Sequence, residues 1–167
     1  MCVCKTKYFH KTYACCRLSE APLVQVCLHP PLEGALAPGS TVGGTVDFTI
    51  SHSAHARDAS SPHCLALSIT LETEEVVADK WLLPSRTGVV RRIYEEQVEV
   101  TRDTLLTHFS FTVPHDAPPS FVLPVASLRW LLRFEFGVAS EVGMWTRTEQ
   151  QSQLVWQLPV LVRPPVQ

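Results

Sequence analysis

The sequence lacks several features, and each absence excludes a class of protein. No run of about 18 apolar residues occurs, so no membrane-spanning helix is predicted. The lysine-containing start has no apolar stretch of the secretory type. Six cysteines without such a signal favour free thiols in a reducing compartment. The phosphate-binding loop, the dinucleotide fingerprint and the His-Glu-x-x-His helix are also missing, which indicates a binding module without a cofactor rather than an enzyme.

Composition and charge indicate one globular domain that does not bind nucleic acid. Of the 167 residues, 46% are hydrophobic and 18% are charged, which is too apolar for a disordered chain. This length allows a sizeable core in a single domain. The net charge is −2, but residues 1–20 contribute +3 and the remainder −5. A mildly acidic body does not attract a phosphate backbone.

The stretch from Ser127 to Ser140 has the strongest pattern in the chain. Its large apolar residues recur at every second position, at Leu128, Trp130, Leu132, Phe134, Phe136 and Val138. A period of two places them on one face of a strand. Polar residues separate them, except at Leu131. We predict a core strand against which the rest of the chain packs.

Other alternating segments predict an all-β sandwich of about seven antiparallel strands. A second strand runs from Thr41 to Ile50, and polar loops are predicted from His52 to His63 and from Glu141 to Ser152. The charged segment from Val89 to Thr101 is predicted to be a more exposed edge strand, protected by its charges. We predict no helical segment, a cysteine-rich unstructured start over residues 1–21, and a sandwich over residues 22–167. The Cys-Trp-Cys order of antibody domains is absent, because Cys27 and Cys64 both precede Trp130. A closed barrel is the rival architecture.

Two clusters of cysteine and histidine are candidates for metal sites. The first is the start of the chain, with Cys2, Cys4, His10, Cys15 and Cys16. Its spacing is poor for zinc, so acylation of the cysteines and an adventitious start remain open alternatives. The second comprises His52, His55, His63 and Cys64, for which a solvated loop is favoured over a metal site. We therefore predict no metal site and no catalytic residue.

The acidic run Glu72, Glu74 and Glu75 has two interpretations. It forms either a solvated sheet face or a partner for Arg129 and Arg133 on a neighbouring strand. Catalysis by a pair of carboxylates is the less favoured hypothesis.

Five segments in order resemble the C-terminal arrestin-like domain of the Rgp family. They are Gly44–Phe48, Leu67–Glu75, Phe109–Pro114, Ser127–Phe136 and Trp156–Val160. Each segment alone is only a hydrophobic strand pattern, and their shared order is the stronger signal. The resemblance covers roughly residues 22–163, and its most distinctive part is the strand that contains Trp130. A full family member has an additional arrestin-like lobe before this one.

The resemblance implies a non-catalytic scaffold in a guanine-nucleotide exchange complex for a Golgi Rab GTPase. The implied partners are a large Ric-type subunit and, through the complex, the Rab. The implied location is cytoplasmic, with peripheral association with the Golgi membrane. An arrestin-like cargo adaptor, which would bind membrane-protein tails without a Ric partner by adding a strand to a sheet edge, is the alternative.

The outward side of the central strand is the predicted partner face. It consists of Arg129, Leu131, Arg133 and Glu135, with Leu131 exposed between two arginines. An ordinary solvated sheet face is the competing interpretation. A partner that uses this face would be weakened by Arg133→Glu, which is expected to leave the fold intact.

Overall fold

The structure, a computed structural model, describes residues 13–18, 21–29, 35–58, 61–82, 87–142 and 148–164. These residues form nine strands, one α-helix and a turn of 3-10 helix at Asp79–Trp81. The helix α1 is Thr49–Arg57. The strands are β1 (Tyr13–Leu18), β2 (Ala21–His29), β3 (Thr41–Asp47), β4 (His63–Val77), β5 (Val89–Val100), β6 (Leu106–Thr112), β7 (Phe121–Val122), β8 (Ala126–Val142) and β9 (Thr148–Val160).

The strands form two antiparallel sheets that enclose one hydrophobic core. The first sheet has the order β1-β2-β3-β6. In the second sheet, β5 pairs with β4, β4 with β8, and β8 with both β7 and β9. Since β4 occupies one side of β8, β7 and β9 share the other side, at different parts of its length. The prediction of an all-β sandwich is confirmed, and the arrestin-like assignment stays a prediction.

Strand β8 supplies the centre of the core, as its alternation predicts. Its inward residues from Leu128 to Val138 are all buried and belong to one hydrophobic cluster with residues of the first sheet. The ring of Phe134 meets Phe109 of β6 edge to face, with centroids 5.5 Å apart, a favourable aromatic geometry. The Trp130 indole Nε1–H donates to the Pro118 carbonyl at 2.9 Å. The core therefore joins the two sheets through the inward face of β8.

Helix α1 contradicts the prediction of a strand to Ile50 followed by a polar loop. β3 ends at Asp47, whose carboxylate oxygen Oδ1 accepts a hydrogen bond from the Thr49 N–H at 2.8 Å. Within the helix, Ser51 is buried and its hydroxyl donates to the Phe48 carbonyl at 3.0 Å. The helix has no apolar stripe, which is the signal by which periodicity reveals a helix. The alternation of Val46, Phe48 and Ile50 instead suggests a longer strand.

Three further predictions about the elements need correction. The structure has nine strands in its described residues rather than about seven, because β1 and the two-residue β7 were not predicted. β1 lies within the start for which no regular structure was expected, and residues 1–12 lie outside the described residues. The polar loop predicted from Glu141 to Ser152 is shorter, since β8 extends to Val142 and β9 begins at Thr148.

Candidate functional site

The predicted partner face lies on the outward side of the second sheet. Pairing between β4 and β8 places the outward residues of the two strands opposite one another. The pairs are Arg129 with Glu74, Leu131 with Glu72, Arg133 with Thr70, and Glu135 with Ser68. We call these eight residues, together with Arg91 of β5, the outer face. The sheet register therefore brings together the four residues that the sequence singled out and adds carboxylates from β4.

Leu131 is not exposed, which corrects one part of the prediction. Its side chain is only 1% exposed. In the sheet it lies between Glu72 of β4 and Pro159 of β9, and Arg129 and Arg133 precede and follow it on the same face. Long arginine stems shield apolar surface while their charged ends reach solvent. Leu131 is thus covered in part by Glu72 and Pro159, which are distant from it in the sequence.

Glu74 is the electrostatic centre of the outer face. Its side chain is 5% exposed and lies between Arg91 and Arg129, which are 44% and 54% exposed. Arg91 Nε donates to Glu74 Oε2 at 2.9 Å, and Arg129 Nε donates to Glu74 Oε1 at 2.8 Å. Burial raises the pKa of Glu74, but the hydrogen bonds and charges of Arg91 and Arg129 outweigh it and hold the pKa below its ordinary value. The carboxylate therefore stays ionised near neutral pH.

The structure places the three residues of the acidic run in different environments. Glu72 and Glu74 are buried, so a fully solvated acidic face is wrong, whereas Glu75 is exposed. The pairing of Glu74 with Arg129 confirms the predicted contact between strands. Arg133 pairs instead with Glu135 of its own strand, with Arg133 Nη2 at 2.6 Å from Glu135 Oε1.

Two buried polar atoms of the outer face have no hydrogen-bond partner among the described residues. They are Oε1 of Glu72 and Nε of Arg133. The other oxygen of Glu72 accepts a weak hydrogen bond from the Thr70 hydroxyl at 3.4 Å. An unsatisfied buried polar atom costs about 1–3 kcal/mol. The centre of the outer face is therefore less well satisfied than the Glu74 cluster beside it.

An open groove of about 490 Å³ continues the outer face toward the far end of β8. Its lining includes Ala66, Val98, Glu135, Gly137, Gln151 and Gln153, from four neighbouring strands. The groove lies where Gly137, which has no side chain, is paired across the sheet with Ala66, which has only a methyl group. The sequence signal was Gly137 at an outward position of a long strand, but the groove depends on residues from β9, which the sequence could not place.

The histidine cluster is partly assembled by the fold. The rings of His55 and His63 lie 4.1 Å apart between centroids, and His55 Nδ1 is 3.1 Å from the Ser61 carbonyl. Cys64 points the other way, into the core, where burial raises the pKa of its thiol. In the ranges that the structure describes, no group of three His, Cys, Asp or Glu side chains is placed to hold a metal ion.

The cysteine cluster at the start lies mostly outside the described residues. Cys2, Cys4 and His10 lie outside the described residues. Cys15 and Cys16 are part of β1, but their side chains are not among the described features. The zinc and acylation alternatives for this cluster stay predictions.

The outer face suggests a better substitution than the one proposed from sequence. Arg133→Glu would place a third carboxylate near Glu72 and Glu135, so it is expected to destabilise the sheet as well as change the surface. Arg133→Gln removes the charge and keeps most of the side-chain length. If a partner binds the outer face, Arg133→Gln should weaken its co-purification and leave the unfolding free energy within about 1 kcal/mol of wild type. Unchanged co-purification would exclude Arg133 from the interface.

The comparisons with known proteins support the Rgp family and leave the arrestin-like domain a prediction. The family model described as Rgp1 matches residues 38–139, which is more than half of the 167-residue chain. The match begins before β3, ends in β8 and contains the whole predicted partner face.

Two curated proteins are also similar to the chain. RAB6A-GEF complex partner protein 2 of Homo sapiens is 30% identical over 120 residues, covering 60% of this chain and 31% of that protein. The Bos taurus protein of the same name is 29% identical over 116 residues, covering 58% of this chain and 29% of that protein. The matched region spans less than a third of each relative. The family model, which matches more than half of the chain, shows that the chain belongs to the Rgp1 family.

Proposed function

We propose that this chain acts as a non-catalytic partner subunit of a guanine-nucleotide exchange complex for a Rab GTPase. The observation that supports this most strongly is the family match over residues 38–139. The two relatives bear the name of partner proteins in a RAB6A exchange complex. Because the chain corresponds to less than a third of their length, the proposed role is that of one binding domain.

The chemistry of the outer face supports binding rather than catalysis. Glu74 is engaged by two arginines, and Glu135 is engaged by Arg133 and by the amide of Gln153. A general base needs a carboxylate that can reach a proton of a substrate. Carboxylates held by neighbouring side chains instead stabilise the sheet and define a surface.

The proposed partner is a large Ric-type subunit, and the Rab is reached through the assembled complex. The proposed location is the cytoplasmic side of the Golgi membrane, where the complex would act in vesicle traffic. These assignments rest on the family resemblance. In this scheme the domain contributes affinity and orientation, and nucleotide exchange belongs to the complex.

The arrestin-like cargo adaptor remains a second candidate because of the groove on the outer face. A groove of about 490 Å³ beside the edge strand β9 is large enough for side chains of an extended peptide. In this alternative, peptides from membrane-protein tails bind without a Ric partner.

Co-purification distinguishes these two functions. The tagged chain and a Ric-type subunit would be co-expressed, with the full-length human relative as a positive control. We expect the Ric subunit to be retained by the chain, and we expect the chain alone not to accelerate release of a fluorescent guanine nucleotide from the Rab. A chain that stays alone while the human relative retains Ric would contradict the proposal. Binding of isolated tail peptides under the same conditions would favour the adaptor.

A further inference from the structure

Strand β9 forms one edge of the second sheet. It runs over 13 residues, from Thr148 to Val160, and among the described residues it pairs only with β8. In an antiparallel edge strand, alternate backbone N–H and C=O groups point away from the sheet. Such a row of free groups is a template for another strand unless the edge is protected.

The other long edges of the sandwich are protected by charge and by side-chain hydrogen bonds. β5, at the opposite edge of the same sheet, contains five charged residues, namely Arg91, Arg92, Glu95, Glu96 and Glu99. β6 is an edge of the first sheet, and side chains of β5 form hydrogen bonds with some of its backbone groups. Glu95 Oε1 accepts from the Thr112 N–H at 3.2 Å, and Gln97 Nε2 donates to the His108 carbonyl at 3.0 Å. The fourth edge strand, β1, has six residues.

β9 has almost none of these protecting features. From Gln150 to Val162 the sequence contains no lysine, arginine, aspartate or glutamate. Pro159, which has no N–H group, is the one residue that interrupts pairing, and it lies next to the end of the strand. Glu149, next to the start of β9, is its one charged residue. The edge is therefore uncharged and able to pair from Gln150 to the residues before Pro159.

The inward side of β9 is incompletely covered. Leu154, Trp156 and Leu158 pack against the core but are only partly buried. Their partners in β8 are Phe136, Phe134 and Leu132, which are fully buried. Burial of apolar surface is favourable, so a strand with apolar residues at every second position would gain free energy here.

The outward side of β9 borders the groove described above. Gln151 and Gln153 form its wall on this side, and Gly137 of β8 lies beside them. The alternate side chains of an added strand would face outward next to these amides. The edge thus offers backbone pairing, an apolar inner side and a polar outer side along the same segment.

We propose that β9 binds an extended segment of the partner subunit as an additional antiparallel or parallel strand. The segment is uncharged where it pairs, with apolar residues at every second position to cover Leu154, Trp156 and Leu158. Backbone hydrogen bonds supply affinity, and the alternate side chains supply specificity. This inference rests on the proposed function, because it assigns the surface through which the domain joins its complex.

Hydrogen exchange of the full chain, alone and in complex with the Ric-type subunit, tests this inference. The backbone N–H groups of β9 that point away from β8 should exchange rapidly in the free chain. In the complex they should exchange at least tenfold more slowly. The amides of β5 serve as the internal reference and should not change. A complex that forms without protection of β9 overturns the inference and leaves the proposed function intact, whereas failure to form a complex overturns both.

A matched pair of variants checks the same surface by affinity. Val155→Lys places a charge on β9, where Val155 is 41% exposed, and Val100→Lys places the same charge on β5, where Val100 is 77% exposed. We expect Val155→Lys to weaken the complex at least tenfold and Val100→Lys to leave it unchanged, with equal unfolding midpoints. Equal affinities overturn the inference. Protection of β9 in a dimer of the free chain also overturns it, because the occupant would then be a second copy.

Discussion

Trp130→Ala is expected to destabilise the domain by about 3–5 kcal/mol, the usual cost of deleting a large buried aromatic side chain. Trp130 is fully buried in β8, and its ring lies 4.6 Å from the ring of Tyr94 between centroids. The substitution would leave a cavity between the two sheets. It would also remove the indole N–H that donates a hydrogen bond to the Pro118 carbonyl. Since small domains have a net stability of about 5–15 kcal/mol, this single change removes a large part of it.

Urea unfolding followed by circular dichroism measures this effect, with Trp130→Phe as the control. Phenylalanine keeps an aromatic ring in the core but loses the hydrogen bond to Pro118, so we expect an intermediate loss of about 1–3 kcal/mol. If the alanine variant does not fold, the phenylalanine variant still tests the contribution of the indole hydrogen bond to Pro118. A loss below about 1 kcal/mol for Trp130→Ala would contradict the central place of this residue in the core.

Glu74→Gln is expected to destabilise the domain by about 1–3 kcal/mol at neutral pH, because hydrogen bonds to a charged group are stronger than neutral ones. A glutamine side chain is nearly isosteric with the native glutamate, so the change isolates the charge. Arg91 and Arg129 are about half exposed, and water solvates them once the carboxylate is lost. The loss should therefore be smaller than that for a fully buried ion pair.

The contribution of Glu74 should depend on pH in a defined direction. Its pKa in the folded protein lies below the ordinary value of 4.5, so the ionised form is favoured by folding. The stabilisation is complete above pH 4.5 and is lost as the pH falls through the folded-state pKa. Unfolding free energies of wild type and Glu74→Gln should thus differ most near neutral pH and converge in acid. A difference that stays constant down to about pH 2 would show that the charge is not responsible.

The outer face and the β9 edge differ in how many of their polar groups already have partners within the chain. On the outer face, Arg129 and Arg133 are committed to Glu74 and Glu135, and Leu131 is buried. A partner would have to compete with ion pairs that already exist. On β9, no strand other than β8 pairs with the edge among the described residues, and Leu154, Trp156 and Leu158 are only partly buried. We therefore propose the neighbouring edge, rather than the predicted face, as the interface.

The sequence by itself determined that β8 is a strand and which of its faces points inward. Both properties depend on the alternation of residues two positions apart. Alternation over Leu128 to Val138 is a local property, and the structure confirms that all six apolar residues on that side are buried. The charged edge strand β5 was predicted for the same reason, from its own residues. The order of the strand motifs also identified the family, because order along the chain needs no tertiary information.

The helix α1 and the burial of Leu131 could not be derived in this way. The residues from Thr49 to Arg57 have no apolar stripe, so tertiary context and the turn at Asp47 decide their conformation. Leu131 has the local sequence of an exposed residue between arginines. Its burial depends on Glu72 and Pro159, which are far away in the chain and reach it only through the pairing of β4, β8 and β9.

Only the tertiary structure decided the ion pairs, the groove and the open edge. Glu74 meets Arg91 and Arg129 because the register aligns three strands at one level. The groove needs Ala66 beside Gly137 and glutamines from β9 along its side. Strand order places β9 at an edge, and no period or motif encodes which strands pair. Sequence patterns report the environment of each strand, whereas function at a sheet surface depends on which strands become neighbours.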